Sequence, residues 1–334
     1  MAADLTLFYA AVLLVGIFLY VLLDGFDLGI GILYPLAPTG DDRTVMMNSV
    51  APVWDGNETW LVLGGAGMYA AFPLAYSALL SAFYLPLSIM LIALILRGVA
   101  FEFRIKATRE RRVWSAAFFL GSACAAFMQG AVLGAFLDGV NIVGRDFVGG
   151  PLDWLTWFSV FTGVGVMAGY ALLGATWLIM KTEGRLQDWA YRMAPGIVAA
   201  VALFILAISL WTPLRYEEVA DRWFSFPNIV LLCWVPIACG FVFWRLWMGI
   251  AKKYEVSPFL HTALLFLLGY VGLIISLWPY AIPPSVTIWQ AAAPVESQRF
   301  LFYGFVFLLP VVVAYTIYSY YVFRGKSSLA DGYH

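Results

Sequence analysis

The sequence predicts an all-α fold: a polytopic membrane helical bundle of nine transmembrane helices, with a periplasmic N-terminus and a cytoplasmic C-terminus. Three observations predict it. The 334 residues are 63% hydrophobic and only 12% charged, with mean hydropathy +0.87, whereas a soluble domain carries roughly 25% charged residues. Nine runs are long enough to cross a bilayer, which needs ~20 apolar residues. Basic residues concentrate in alternate connecting segments, as a chain threading a membrane requires.

The first run covers about 5–34 and is uncharged from Leu5 to Leu33 apart from Asp24 and Asp27. The preceding Met1-Ala2-Ala3-Asp4 has no basic n-region, and the run is too long for a cleaved signal, so it reads as a spanning helix. The remaining runs cover about 53–72, 76–101, 113–137, 154–180, 194–211, 228–248, 259–280 and 300–323. Trp54, Tyr76, Trp114, Trp154, Trp211, Trp278 and Tyr321 mark ends, as interfacial aromatic belts do. Pro86, Pro236 and Pro310 fall inside spans and read as kinks, which helix bundles tolerate.

One set of connections holds 14 basic residues: Arg43; Arg104, Lys106, Arg109, Arg111 and Arg112; Lys181, Arg185 and Arg192; Arg245, Lys252 and Lys253; Arg324 and Lys326. The other set holds four, Arg145, Arg215, Arg222 and Arg299. The positive-inside rule puts the first set in the cytoplasm. Arg97 lies inside the third span. The external loops, near 138–153, 212–227 and 281–299, are short, and residues 1–334 read as one integral membrane domain.

Several function classes drop out. A net charge of −1 without a basic block gives no nucleic-acid partner. Cys124, Cys233 and Cys239 lie in apolar runs without CxxC spacing and read as buried structural thiols. Histidine occurs at His261, where a satisfied interfacial role is expected, and at His334 on a polar tail. That is too few for a chain ligating several haems. Gly65-Ala66-Gly67 sits within a span, so no dinucleotide turn follows. No metal site, P-loop or nucleophile–base pair emerges. Gln129 and Asp138 are polar features toward the outer side with no partner evident from sequence.

Chemistry concentrates in two acidic motifs, Asp24-Gly25-Phe26-Asp27-Leu28-Gly29-Ile30-Gly31 and Trp54-Asp55-Gly56-Asn57-Glu58-Thr59-Trp60. Carboxylates at membrane depth cost roughly 2.5–3.5 kcal/mol each on insertion scales, so they face protein or water and mark function by default. Asp24 and Asp27 share a helix face, as do Asp55 and Glu58. With the predicted topology these acids, Arg97 and the nearby Glu102 all lie toward the cytoplasmic side. Two ionised carboxylates on one low-dielectric face repel, so at least one is expected to be protonated or paired, and Arg97 is the arginine buried enough to pair. The expectation is that Arg97 holds Asp27, while Asp55, assisted by Asp24 and Glu58, carries protons. Structural alternatives remain at each position: an ion pair or cap for Asp24 and Asp27, an N-cap for Asp55, a solvated helix start for Glu58, and snorkelling for Arg97. Glycines 25, 29 and 31 predict close approach of another backbone.

The same residues carry a family resemblance. Asp24-Gly25-Phe26-Asp27-Leu28-Gly29, the run Asn48-Ser49-Val50-Ala51-Pro52-Val53-Trp54-Asp55-Gly56-Asn57-Glu58-Thr59-Trp60, Ala71-Phe72-Pro73, Ser81-Ala82-Phe83-Tyr84-Leu85-Pro86 and Leu96-Arg97-Gly98-Val99-Ala100-Phe101-Glu102-Phe103-Arg104 together resemble subunit II of the cytochrome bd-type quinol oxidases, cyanide-insensitive members included. The likeness spans essentially the whole chain.

The resemblance implies an electrogenic ubiquinol or menaquinol:O2 oxidoreductase of the bacterial respiratory chain, in the cytoplasmic membrane, that draws protons from the cytoplasm to reduce dioxygen to water. It implies a haem-bearing partner, subunit I, with two b-type haems and one d-type haem or a b-type substitute, and none ligated by this chain. A small single-helix subunit is a further partner class, and some members hold a lipid or structural quinone. The resemblance assigns Asp55 to a proton route. It links Asp24, Asp27 and Arg97 to that region or to support of the haem subunit, where Glu102 is also expected. Two rivals stand beside this reading: a purely structural scaffold subunit, and a proton-coupled secondary transporter, against which the lack of an inverted repeat argues.

Overall fold

The computed structural model describes residues 2–107 and 109–330; His334 lies outside the described residues. The chain is almost entirely helical. Helix α1 (Ala2–Leu33) is followed by a single 3-10 turn (Tyr34–Leu36), α2 (Gly40–Asn48), α3 (Trp54–Ala71), α4 (Pro73–Lys106) and α5 (Arg111–Asp138). A two-stranded hairpin, β1 (Ile142–Val143) with β2 (Asp146–Phe147), leads to α6 (Trp157–Lys181) and α7 (Gly184–Arg215). Then come α8 (Glu217–Phe224), α9 (Asn228–Leu232), α10 (Trp234–Ala251) and α11 (Ser257–Leu277). A second hairpin, β3 (Tyr280–Ile282) with β4 (Val286–Thr287), precedes α12 (Ile288–Ala291) and α13 (Val295–Val322).

Among the described residues, eight helical segments are long and apolar enough to cross a membrane. The second expected span, α3, is a helix of 18 residues but is not among them. Its sequence explains why: Asp55, Asn57, Glu58 and Thr59 occupy its start and Gly64, Gly65 and Gly67 its middle, so its mean hydropathy is low for its length. The span expected at 194–211 is longer than expected, beginning at Gly184 and passing through Pro195 and Pro213. Pro236 does not kink a helix from within. It lies in the first turn of α10, just after the α9–α10 joint at Cys233, where a missing N–H costs nothing. Upstream of Pro86, by contrast, α4 does depart from helical geometry, at Phe83 (φ −115°, ψ 17°). The loops expected at the outer face hold the two hairpins, α8 and α12.

Helix α6 sits at the centre, against α1, α5, α7 and α11. Close approach depends on glycine, because between helices in lipid packing and hydrogen bonds replace the hydrophobic drive. A Cβ on Gly29 of α1 would fall 1.8 Å from the Tyr170 carbonyl oxygen of α6, and one on Gly174 of α6 only 2.5 Å from the Gly29 carbonyl carbon. Below this crossing Phe26 stacks on Trp177 at 4.0 Å and 12°. Near the start of α1, Tyr9 donates to the Gln298 carbonyl at 2.6 Å, tying α1 to α13. The peripheral α7, α10, α11 and α13 keep broad apolar faces uncovered. Cys233 is exposed rather than buried, because it lies at the helix joint, while Cys124 and Cys239 are half-buried.

Candidate functional site

Three successive helices place charge inside the bundle. On α1, Asp24 and Asp27 lie nine and six residues before the helix end, or about 14 and 9 Å inside at 1.5 Å per residue. Both are buried, as is Arg97 on α4. Arg97 Nη1 donates to Asp24 Oδ1 at 2.6 Å, and Arg97 Nη2 pairs with Glu58 Oε1 of α3. One guanidinium thus bridges a sealed carboxylate and one whose side chain is 26% exposed. The planar fork of arginine suits this double engagement.

Asp27 is held differently from the expectation. Its Oδ2 accepts from Asn57 Nδ2 at 2.7 Å, and Arg97 makes no ion pair with it. Asn57 also reaches the Leu23 carbonyl at 3.3 Å and accepts from the Tyr320 hydroxyl at 2.8 Å. Asp27 lies three residues beyond Asp24, and Arg97 is committed to Asp24 and Glu58. Among the described residues, one oxygen of each aspartate, Asp24 Oδ2 and Asp27 Oδ1, has no protein partner, and neither has Arg97 Nε. A crevice of about 10 Å³ between α3 and α13, lined by Gly56, Asn57, Ser319 and Tyr320 among others, opens beside the Asn57–Tyr320 contact. That is room for about one water molecule.

Asp55 lies in the first turn of α3, exposed, and its side chain makes no hydrogen bond or ion pair with the described residues. It is not an N-cap: that position is Val53, and no side chain caps the helix. Glu102 stands apart from the cluster, 47% exposed and 3.8 Å from Lys106 one turn on. The sequence motifs therefore gather Asp24, Asp27, Glu58 and Arg97, set Asp55 at the surface beside Glu58, and leave Glu102 at the rim.

Other participants carried no recognised signal. Toward the start of α1, Gln129 Nε2 donates to Tyr20 at 2.8 Å, and Tyr170 donates to Gln129 Oε1 at 2.6 Å. Tyr20 lies one turn above Asp24 on the same face of α1, so a polar column continues from the ionic cluster into α5 and α6. Asn57 was legible in principle, since Asn57, Trp60, Gly67 and Ala71 form the buried stripe of α3. Tyr320 was not, lying in a run of aromatics. Asp138 gains partners as well: Thr156 at 2.7 Å, Arg215 at 2.9 Å and the Tyr216 hydroxyl. Burial, then the adjacent Asp138 carboxylate, pushes the Tyr216 phenol upward. His261 is half-buried, with Nδ1 2.7 Å from the Ser257 carbonyl one turn back.

Residues 5–323 match the family model for cytochrome bd terminal oxidase subunit II. The chain belongs to that family. It is 31% identical over 338 residues to the cytochrome bd ubiquinol oxidase subunit 2 of Bacillus subtilis, covering 97% of this chain and 96% of that one. It is 28% identical to the cytochrome bd-I ubiquinol oxidase subunit 2 of Escherichia coli K12, covering 96% and 94%. The fold matches a chain of the bd oxidase from Geobacillus thermodenitrificans with TM-score 0.76 at 18% identity, covering 96% and 97%. The subunit is thus part of an oxidoreductase complex of respiratory electron transport, multi-pass in the bacterial inner membrane. Membership implies haem in that complex and a partner subunit I.

Proposed function

We propose that this subunit ligates no haem, supports the haem-bearing subunit I of a quinol:O2 oxidoreductase, and contributes a cytoplasmic proton path to dioxygen reduction. The observation that carries the reading is the Arg97 bridge. It joins Glu58, which water reaches, to Asp24, which water does not, at a depth where an unpaired carboxylate would cost several kcal/mol. Asp55 collects protons at the surface, Glu58 is the next acceptor inward, and Asp24, through its uncommitted oxygen, is the innermost. Asp27, Arg97 and Glu102 support the site: Arg97 fixes the two path carboxylates, Asp27 ties α1 to α3 and α13 through Asn57, and Glu102 steadies the cytoplasmic end of α4.

The topology that fits this role has nine spans, α3 included, with a periplasmic N-terminus and a cytoplasmic C-terminus within a single membrane domain. An α3 flanked by α1, α4 and α13 needs less hydropathy of its own than a lipid-facing helix. Assignment of the two b-type haems and the d-type haem, or its b-type substitute, to subunit I rests on donor chemistry. The whole sequence offers two histidines, His261 and His334, too few for axial ligation of several haems. Ubiquinol or menaquinol and O2 are then substrates of the complex. A small single-helix subunit, membrane lipid and a structural quinone are further partners in keeping with the broad uncovered apolar faces, and nucleic acid is not.

The scaffold reading has one observation in its favour: a guanidinium held by two carboxylates is also a strong structural tie. Quinol oxidation by assembled complexes carrying Asp55→Asn or Asp24→Asn separates the two. The proton path requires slowed turnover at normal haem content. Wild-type turnover in both variants would leave only the scaffold.

A further inference from the structure

A second charged cluster, unrelated to the proton path, lies where the 3-10 turn, α2, α4 and α5 meet on the arginine-rich side. The guanidinium carbons of Arg104 and Arg43 lie 5.4 and 6.0 Å from the centre of the Tyr34 ring. Arg104 Nε donates to Ser115 Oγ at 3.2 Å, Ser115 donates to the Arg111 carbonyl at 2.7 Å, and Arg111 Nη2 reaches Thr44 Oγ1, beside Arg43, at 3.1 Å. Three cations are therefore wired into one patch. None has a carboxylate within ion-pair distance among the described residues. The nearby acids are engaged elsewhere or turned outward: Asp42 holds Arg185 at 3.0 Å, Glu102 faces Lys106, and Asp41 and Glu110 are exposed without ion pairs.

Several guanidinium donors of this patch are unused by the protein. Among the described residues, Arg104 is only 3% exposed and neither of its terminal nitrogens donates to a protein atom, while Arg43 donates through Nη2 to the Pro35 carbonyl at 3.2 Å but leaves its buried Nε without a partner. Three clustered cations without a carboxylate partner, with donors left open at the surface, favour an anion there. Unused guanidinium donors match the oxygens of a phosphate, and the positive N-terminal end of α5, which begins at Arg111, adds to the attraction.

We propose that Arg43, Arg104 and Arg111 bind the phosphate of an anionic phospholipid headgroup. The surroundings favour lipid over free phosphate. Phe103 and Val113, neighbours of the arginines on α4 and α5, are 53% and 63% exposed, and the Phe103 and Trp114 rings lie 4.8 Å apart beside them. Acyl chains have an apolar wall directly next to the headgroup site, as in basic pockets between membrane helices.

The test uses the delipidated complex of this subunit with its haem-bearing partner, followed by native mass spectrometry. Phosphatidylglycerol, phosphatidylcholine or inorganic phosphate is added to wild type, to Arg111→Gln, whose side chain is exposed, and to Arg104→Lys, which keeps the charge but loses the fork. The expected result is a tightly held phosphatidylglycerol in wild type, with affinity about tenfold lower in each variant, the loss of one charge-assisted contact. Phosphatidylcholine should bind weakly and equally to all three, and millimolar phosphate should not displace the lipid. Equal phosphatidylglycerol affinity in wild type and variants would overturn the proposal. So would displacement by inorganic phosphate, which would make this a soluble-anion site. Wild type that takes up no anionic lipid, with complexes that fall apart in Arg111→Gln, would overturn it in favour of a partner carboxylate.

Discussion

Replacing Arg97 by methionine removes a cation that two carboxylates share. Its partner Asp24 is sealed, at 1% side-chain exposure and 2.6 Å, so deleting the guanidinium strands a buried charge at a cost of about 3–5 kcal/mol. Glu58, at 26% exposure, can turn to water and adds little, within about 1 kcal/mol. Asp27→Asn is the contrasting change. It keeps the shape and the Asn57 contact and takes no partner from a cation, so a change of about 1 kcal/mol or less is expected. Double-mutant cycles, read by reversible unfolding of the purified chain in mixed micelles, then give the decisive numbers. Arg97 and Asp24 should couple by about 2–3 kcal/mol, and Arg97 and Asp27 by well under half of that. Arg97→Lys should fall between wild type and methionine, since an ammonium cannot span both carboxylates as the fork does. A coupling to Asp27 as large as that to Asp24, or a cost below about 1 kcal/mol for Arg97→Met, would refute the pairing.

Three further outcomes follow from the packing and the surface. Gly29→Ala would drive a methyl into the Tyr170 carbonyl and should cost about 3 kcal/mol or more, whereas Gly65→Ala, with nothing within 4 Å, should stay within about 0.5 kcal/mol; thermal unfolding of both checks this. Tyr320→Phe deletes the donor to Asn57 and should cost about 0.5–1.5 kcal/mol, less in an Asn57→Ala background, as unfolding measurements would show. Near the C-terminus, the hydrogen bond and charge of Lys326, 2.8 Å away, hold the Glu255 carboxyl below its ordinary range. A depressed folded pKa means this contact is complete above the unfolded value, about 4.3, and is lost as pH falls through the folded one. Hydrogen exchange at Ser327, whose amide is bonded to the Lys181 carbonyl at 2.7 Å, should therefore lose protection only in acid, and earlier in Lys326→Gln.

The bundle was legible because lipid simplifies the code: long uncharged runs, aromatic ends and alternate basic segments leave few other folds. The glycines of the first motif announced the α1–α6 crossing for the same reason. Helix α3 was found as a helix at 53–72, but its hydropathy marks it only weakly as a span because it carries the polar half of the site. The start of α7 at Gly184 hides behind Pro195, which looks like a boundary. Within the site, depth was readable from topology, and it brought Asp24, Asp27, Glu58 and Arg97 together. Pairing was not, since choosing between two aspartates three residues apart depends on which rotation of α1 faces α4. The exposure of Asp55 and the separate pairing of Glu102 likewise depend on helix rotation, which spacing alone leaves free. The Tyr20–Gln129–Tyr170 column joins three helices distant in sequence, and no local pattern links them.

The most direct test of the proton path is cytoplasmic-side proton uptake during a single turnover, followed with a pH-sensitive dye in complexes of normal haem content. Glu58→Gln keeps the shape but cannot take up a proton, so uptake should slow at least tenfold while the electron transfer that precedes it keeps its rate. Uptake in Glu58→Gln and Asp24→Asn as fast as in wild type would contradict the path and leave Arg97 with its two carboxylates as a structural tie.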